Sequence, residues 1–250
     1  MEAVIVLGFY ALYEVSRGLV VGDEQAAVQH ARAVVALERS LHLFVEHDVQ
    51  RAAYAVPGLI ETLGGMYLAF HLAVTGGYLV WLHQRRPSEF PLVRTTLVIA
   101  NGLALVGYLV YPTAPPRLAG IGVTDTVSND HIDLNTGLIS ALYNPLAALP
   151  SMHFGYALVV GASLLRCGRR AAVRLTGATY PALVMVIIVA TGNHFFVDAA
   201  AGAAVVGLAV GLAIVIEEPS AGSRAERARR RRESRPRGAL VTVSGSHPRG

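Results

Sequence analysis

Charge is scarce in this chain, cysteine nearly so, and lysine is missing altogether. Only 15% of the 250 residues are Asp, Glu, Lys or Arg, against 53% hydrophobic, and the mean hydropathy is +0.47. So few charges cannot coat a typical soluble domain. With a single cysteine, Cys167, no internal disulfide can form. All 21 basic residues are arginine, so any fixed cation is a guanidinium or a protonated histidine. The net charge of +4 does not indicate nucleic-acid binding, because most of the excess sits in one tail.

What is present reads as an all-α integral membrane protein, since several apolar runs are near or above the length of a bilayer crossing. The expectation is a six-helix bundle over residues 1–216, with spans at about 1–21, 57–82, 92–111, 150–165, 173–191 and 195–216. In the first span Glu14 and Arg17 are three residues apart and can pair on one helix face. Between spans one and two, Gly22–Ala55 changes character. Val28, Ala31, Val34, Val35, Leu41, Phe44, Val45, Val49 and Ala52 recur at helical spacing, with Glu24, Arg32, Arg39, Glu46 and Asp48 between them. The pattern fits amphipathic helix in the membrane interface, and it fits equally a helix packed against the bundle ends.

Arginine placement sets the orientation. Arg85, Arg86 and Arg94 follow span two, Arg166, Arg169, Arg170 and Arg174 follow span four, and Glu217–Gly250 carries Arg224, Arg227, Arg229 to Arg232, Arg235 and Arg237. By the positive-inside rule these regions and both termini are cytoplasmic, in a plasma membrane protein. The tail has no apolar face and is expected to be a disordered basic segment. The long loop Pro112–Leu149, the start of span four and the turn Gly192-Asn193-His194 then share the outer face.

Three stretches on that face carry chemistry. Tyr111-Pro112-Thr113-Ala114-Pro115-Pro116-Arg117 leaves span three. Its prolines forbid a continuing helix and stiffen the elbow that bears Arg117, whose planar fork suits phosphate. A lone arginine after a span is also a common interfacial anchor. Pro150-Ser151-Met152-His153 opens span four as a capped helix start, where unpaired backbone N–H groups favour an anion. His194-Phe195-Phe196-Val197-Asp198 enters span six, with His194 and Asp198 four apart and therefore on one helix face. A carboxylate bonded to one ring nitrogen leaves the other free to attack. The plain alternative is a polar pair that glues helices together.

In chain order, these PPR, PSMH and HFFVD segments resemble the type 2 phosphatidic-acid phosphatase superfamily over roughly residues 92–211. The nearest likeness is to the subgroup of inositol-phosphorylceramide synthases, and the Leu-Glu-Arg-Ser stretch within Leu37–Gln50 is similar to bacterial members of that branch. Two departures stand out. The better-known phosphatases have a lysine ahead of the first-motif arginine, and a Ser-Arg pair where this chain has Ile187 and Ile188. Arg117 is thus expected to be the main phosphate cation, with Arg17, Arg32, Arg39 and Arg51 as supplements.

The resemblance implies a membrane phosphatase or phosphotransferase acting on a lipid phosphate. His194 would be the nucleophile, forming a phosphohistidine, and Asp198 would orient it. His153 would serve as acid and then base, with Arg117, Ser151 and Tyr111 on the phosphate oxygens. Neither metal nor cofactor is implied. Water as acceptor gives a phosphatase; a lipid or polyol hydroxyl gives a transferase. Two rivals remain at this stage: a metal hydrolase with His153, His194 and Asp198 as ligands, and a lipid-phosphate carrier without catalysis.

Overall fold

The computed structural model describes residues 24–126 and 146–217. The expected first span with Glu14 and Arg17, the middle of the long loop with His131, and the basic tail beyond residue 217 lie outside the described residues. Among the described residues seven α-helices follow one another: α1 (Glu24–Ser40), α2 (Glu46–Tyr54), α3 (Leu59–Arg85), α4 (Phe90–Val110), α5 (Met152–Cys167), α6 (Ala171–Ala190) and α7 (Phe196–Glu217). A short 3-10 turn at Pro116–Leu118 lies between α4 and α5. Among the described residues there is no strand, only an isolated parallel bridge between Thr113 and Ala147.

Among the described residues three helices, α4, α6 and α7, are long and apolar enough to cross a membrane. They also turn large apolar side chains outward, among them Val106, Val110, Leu175, Val186, Leu208 and Leu212. Such a surface is costly in water and natural against lipid chains. The protein is a membrane protein. α5 is apolar but has 16 residues, so at 1.5 Å per residue it runs about 24 Å, short of a bilayer core of about 30 Å.

The described residues up to Ile214 form one compact unit; a second begins at Val215, of which only the last turn of α7 is described. α5 and α6 approach most closely where two glycines face each other. A Cβ on Gly161 would lie 2.5 Å from the Gly177 carbonyl oxygen, and one on Gly177 would lie 2.7 Å from that of Gly161. One apolar cluster joins Ile60, Leu63 and Tyr67 of α3 to Ala157, Val184, Ile187, Ile188 and Ala199. Another joins Leu82 to Leu97, Ala100, Val160 and Ala209. Polar bonds sit inside this packing: the Tyr78 hydroxyl donates to Ser163 Oγ at 2.7 Å, and Tyr156 donates to Asn101.

The amphipathic segment has a definite place. α1 buries Ala27, Ala31, Val34 and Val35 against Ala114, Ala119, Leu146 and Phe195. The apolar stripe read from the sequence therefore covers the loops around Arg117 and His194. The α1–α2 corner exposes Leu37, Leu41, Leu43 and Val45.

Candidate active site

The elbow after α4 is held from two sides. Thr113 N–H donates to the Leu146 carbonyl at 2.9 Å and Ala148 N–H donates to that of Thr113 at 3.1 Å. Ala114 N–H donates to the Ala27 carbonyl of α1 at 3.0 Å, and His30 Nδ1–H donates to the Pro112 carbonyl at 2.7 Å. Tyr111 stacks on His30, ring centroids 3.8 Å apart, which fixes the end of α4 to α1. The same segment that pairs with the elbow runs on through a cis Leu149–Pro150 bond to the start of α5.

At that start Ser151 is the N-cap. Its hydroxyl accepts a long bond, 3.4 Å, from Phe154 N–H. Its own N–H donates to the Asp198 carbonyl at 2.9 Å, so it is committed to α7. The contact is close enough that a Cβ on Gly202, one turn along α7, would clash with the Ser151 carbonyl oxygen. His153 follows in the first turn of α5, with its ring stacked on Tyr67 at 4.3 Å.

The turn between α6 and α7 brings His194 to the same place. Gly192 there takes φ 68°, left-handed backbone that suits glycine. The ring is buried, with Nδ1 2.9 Å from the Ala148 carbonyl oxygen and 3.5 Å from Asp198 Oδ2. A carbonyl can only accept, so Nδ1 carries the hydrogen. That leaves a lone pair on Nε2, which faces His153 Nδ1 at 3.4 Å. The two imidazoles, 41 residues apart in sequence, are thus directly paired. Asp198 contributes its charge, while the nearer partner fixing the tautomer is the Ala148 carbonyl.

Asp198 has a second task. It is fully buried, and Oδ2 accepts from Phe195 N–H at 2.8 Å. With α7 starting at Phe196, this is the reach-back half of a capping box, in which the third helical residue bonds the N-cap amide. The next two amides are also taken by carboxylates. Phe196 N–H donates to Glu46 Oε1 at 3.5 Å and Val197 N–H to Glu38 Oε1 at 2.8 Å.

Arg117 comes to the neighbour of His194. Its backbone N–H donates to the Gly192 carbonyl at 3.0 Å, and its Nε donates to Asn193 Oδ1 at 3.0 Å. Its Nη1 makes a 2.6 Å ion pair with Asp125 Oδ2, with the Arg117 side chain only 3% exposed. The guanidinium is therefore engaged at rest through Nε and Nη1. Beside His153, a cavity is lined by Met66, Tyr67, Thr75, Tyr180, Val184, Ile187 and Ile188. The two isoleucines that stand where the sequence comparison placed a Ser-Arg pair are thus an apolar wall. Arg51 pairs with Asp48 at 2.6 Å and Arg39 lies over the Phe44 ring at 4.9 Å. Arg17 lies outside the described residues.

A model of the PAP2 superfamily matches residues 32–212. The chain belongs to the PAP2 superfamily. Neither the curated proteins nor the solved structures gave a match. The matched stretch holds all three segments and most of α1. Membership makes the protein an enzyme of phosphatase or phosphotransferase type acting on phosphate esters. In this PAP2 chain several site residues escaped the motifs. Asn193 was adjacent to a motif histidine and could have been noticed. Glu38 follows Val34 and Val35 by four and three residues, which puts it on the apolar face, an anomaly visible in the pattern. Asp125 and the Ala148 carbonyl had no local signal.

Proposed function

We propose that this protein transfers the phosphoryl-bearing group of a lipid-borne ester through a phosphohistidine on His194, to a hydroxyl acceptor as an inositol-phosphorylceramide-synthase-like enzyme would. One observation carries the reading: the tautomer set by the Ala148 carbonyl leaves His194 Nε2 unprotonated and opposite a second imidazole. The nitrogen attacks phosphorus as the bond to the leaving oxygen breaks, and His153 delivers a proton to that oxygen. In the second step His153 takes the proton from the acceptor hydroxyl, whose oxygen displaces His194. Asp198 offsets the positive charge on the imidazole during the phosphoenzyme stage.

Reacting atoms must approach to about 3–3.5 Å on either side of phosphorus, so the paired rings describe a resting state. Substrate entry separates them and exchanges Asp125 for phosphate on Arg117. Ser151 holds the start of α5, and Tyr111 braces the elbow. The apolar cavity beside His153 favours a lipid-borne leaving group or acceptor over a soluble one. The reaction is proposed to need no metal, with the Arg117 guanidinium and the leading amides of α5 offsetting charge on the phosphoryl oxygens. We place the chemistry on the extracytoplasmic side of the plasma membrane, with six spans and a basic cytoplasmic tail, from the arginine distribution.

Purified protein given phosphatidylinositol, phosphatidic acid and a polyprenyl phosphate, with and without a hydroxylated sphingolipid, tests this. New phospholipid formed in the presence of chelator, and only with the acceptor present, is the expected result. Free phosphate at an unchanged rate regardless of acceptor would make the enzyme a phosphatase, and complete loss with chelator would point to a metal.

A further inference from the structure

α1 and α2 bring two acidic side chains into the interior, and the transfer chemistry above uses neither. Glu38 and Glu46 are both 0% exposed. Each gives one oxygen to a leading amide of α7, Glu38 to Val197 and Glu46 to Phe196. Each also has a second oxygen, Oε2, for which no protein donor exists among the described residues. Glu46 lies beside Glu38 and disfavours its ionisation. Two buried carboxylates side by side repel each other, which favours a proton on one of them.

The helix end they hold is an unusual one. Leading amides of a helix need acceptors, and here Asp198, Glu46 and Glu38 supply them in sequence. The residue just before that end is His194, whose Nε2 has to be aimed to within a few tenths of an ångström for in-line attack. Any rotation of the first turn of α7 moves Asp198 and His194 together. Simple capping would be satisfied by an exposed Ser or Asp, without burying two carboxyl groups from two other helices.

We infer that Glu38 and Glu46 are positioning residues for the phosphoryl transfer, holding the first turn of α7 so that His194 stays aligned with His153. The inference rests on the proposed phosphohistidine chemistry. The proton belongs on Glu38: burial first, then the neighbouring Glu46 carboxyl, pushes its pKa up to about 8. The titratable groups facing it are Glu46 on α2 and Asp198 on α7. Below that pH Glu38 is protonated and the clamp is closed. As pH rises through it, Glu38 ionises beside two acids, their repulsion sets in, and the turn loosens.

The test is kcat against pH for wild type, Glu38→Gln and Glu38→Ala on whichever lipid of the panel above is turned over best. Glutamine reproduces a protonated glutamate and cannot ionise. Wild type should lose activity above about pH 8, Glu38→Gln should match it near neutrality and keep its activity to higher pH, and Glu38→Ala should lose about ten-fold or more in kcat at unchanged KM, roughly 1.4 kcal/mol of barrier. Glu46→Gln, which keeps an acceptor for Phe196, should retain activity where Glu46→Ala does not. Monodispersity and thermal midpoint in detergent separate lost folding from lost alignment. An alkaline limb identical in wild type and Glu38→Gln overturns the positioning role while leaving the phosphohistidine intact. Wild-type inactivity on the whole panel, or full activity in His194→Ala, overturns both.

Discussion

In the proposed reaction the Arg117–Asp125 pair controls phosphate entry. At rest the guanidinium is shared between Asn193 and Asp125 in a nearly dry setting, and an incoming phosphate competes with a carboxylate for it. Arg117→Lys keeps the charge and loses the fork, so kcat should fall by about 100-fold, the scale of one lost transition-state donor. Asp125→Asn removes the competing charge and keeps the shape, so KM should fall several-fold with kcat little changed. Steady-state kinetics on the same lipid reads both. A higher KM in Asp125→Asn would show that Asp125 assists substrate binding. The motif residues were legible in the sequence because their chemistry is local: a fork on a proline elbow, a histidine four before an aspartate. Asp125 was not, since an ion pair across a loop has no periodicity to betray it. The tautomer-setting Ala148 carbonyl was illegible for a deeper reason, as any residue has a backbone oxygen.

Helices locate these groups, and two of the contacts between them tolerate almost no change. α5 is tied to α7 by the Ser151–Asp198 bond at the point where Gly202 leaves room for the Ser151 carbonyl. Gly202→Ala must push the two helix starts apart. It should destabilise by about 1–3 kcal/mol, as overpacking does, and should cost more activity than its loss of thermal midpoint explains, because His153 rides on one helix and His194 sits at the start of the other. Gly207, with open space around its would-be Cβ, is the matched control. Equal loss in Gly202→Ala and Gly207→Ala would sink the argument. Helix existence was readable from apolar runs, and the start of α5 from its Pro-Ser pair. The role of α1 was not. Its stripe of Ala27, Ala31, Val34 and Val35 fitted a membrane surface and a protein surface equally well, and only Phe195, Ala114 and Leu146 packed against it decide. The lone acid on that stripe, Glu38, was the sign that its partner was a helix end.

For the whole molecule, the arginine distribution supplies the proposed orientation, with the site outside and both termini inside. α5 carries His153 in its first turn and Cys167 at its last residue, about 21 Å away along the axis. With Cys167 as the natural cysteine, a membrane-impermeant maleimide should label wild type only after the cytoplasmic side is opened. A Cys167→Ser chain carrying Gly120→Cys, at an exposed position near Arg117, should label from outside intact cells. The reverse pattern would turn the site to the cytoplasm and make the substrate an inner-leaflet lipid. Family membership covers residues 32–212 and explains why three segments so distant in sequence meet. It leaves open the acceptor, which we propose is a lipid because Ile187 and Ile188 line the cavity beside His153.

The central claim is a covalent bond between His194 and phosphorus. Brief exposure of the protein to a phosphorus-labelled lipid, followed by alkaline denaturation, reads it directly. Label should appear on the wild-type protein, survive alkali, leave in acid as a phosphoramidate does, and be absent from His194→Ala. Label that persists in His194→Ala, or that resists acid, would contradict the account.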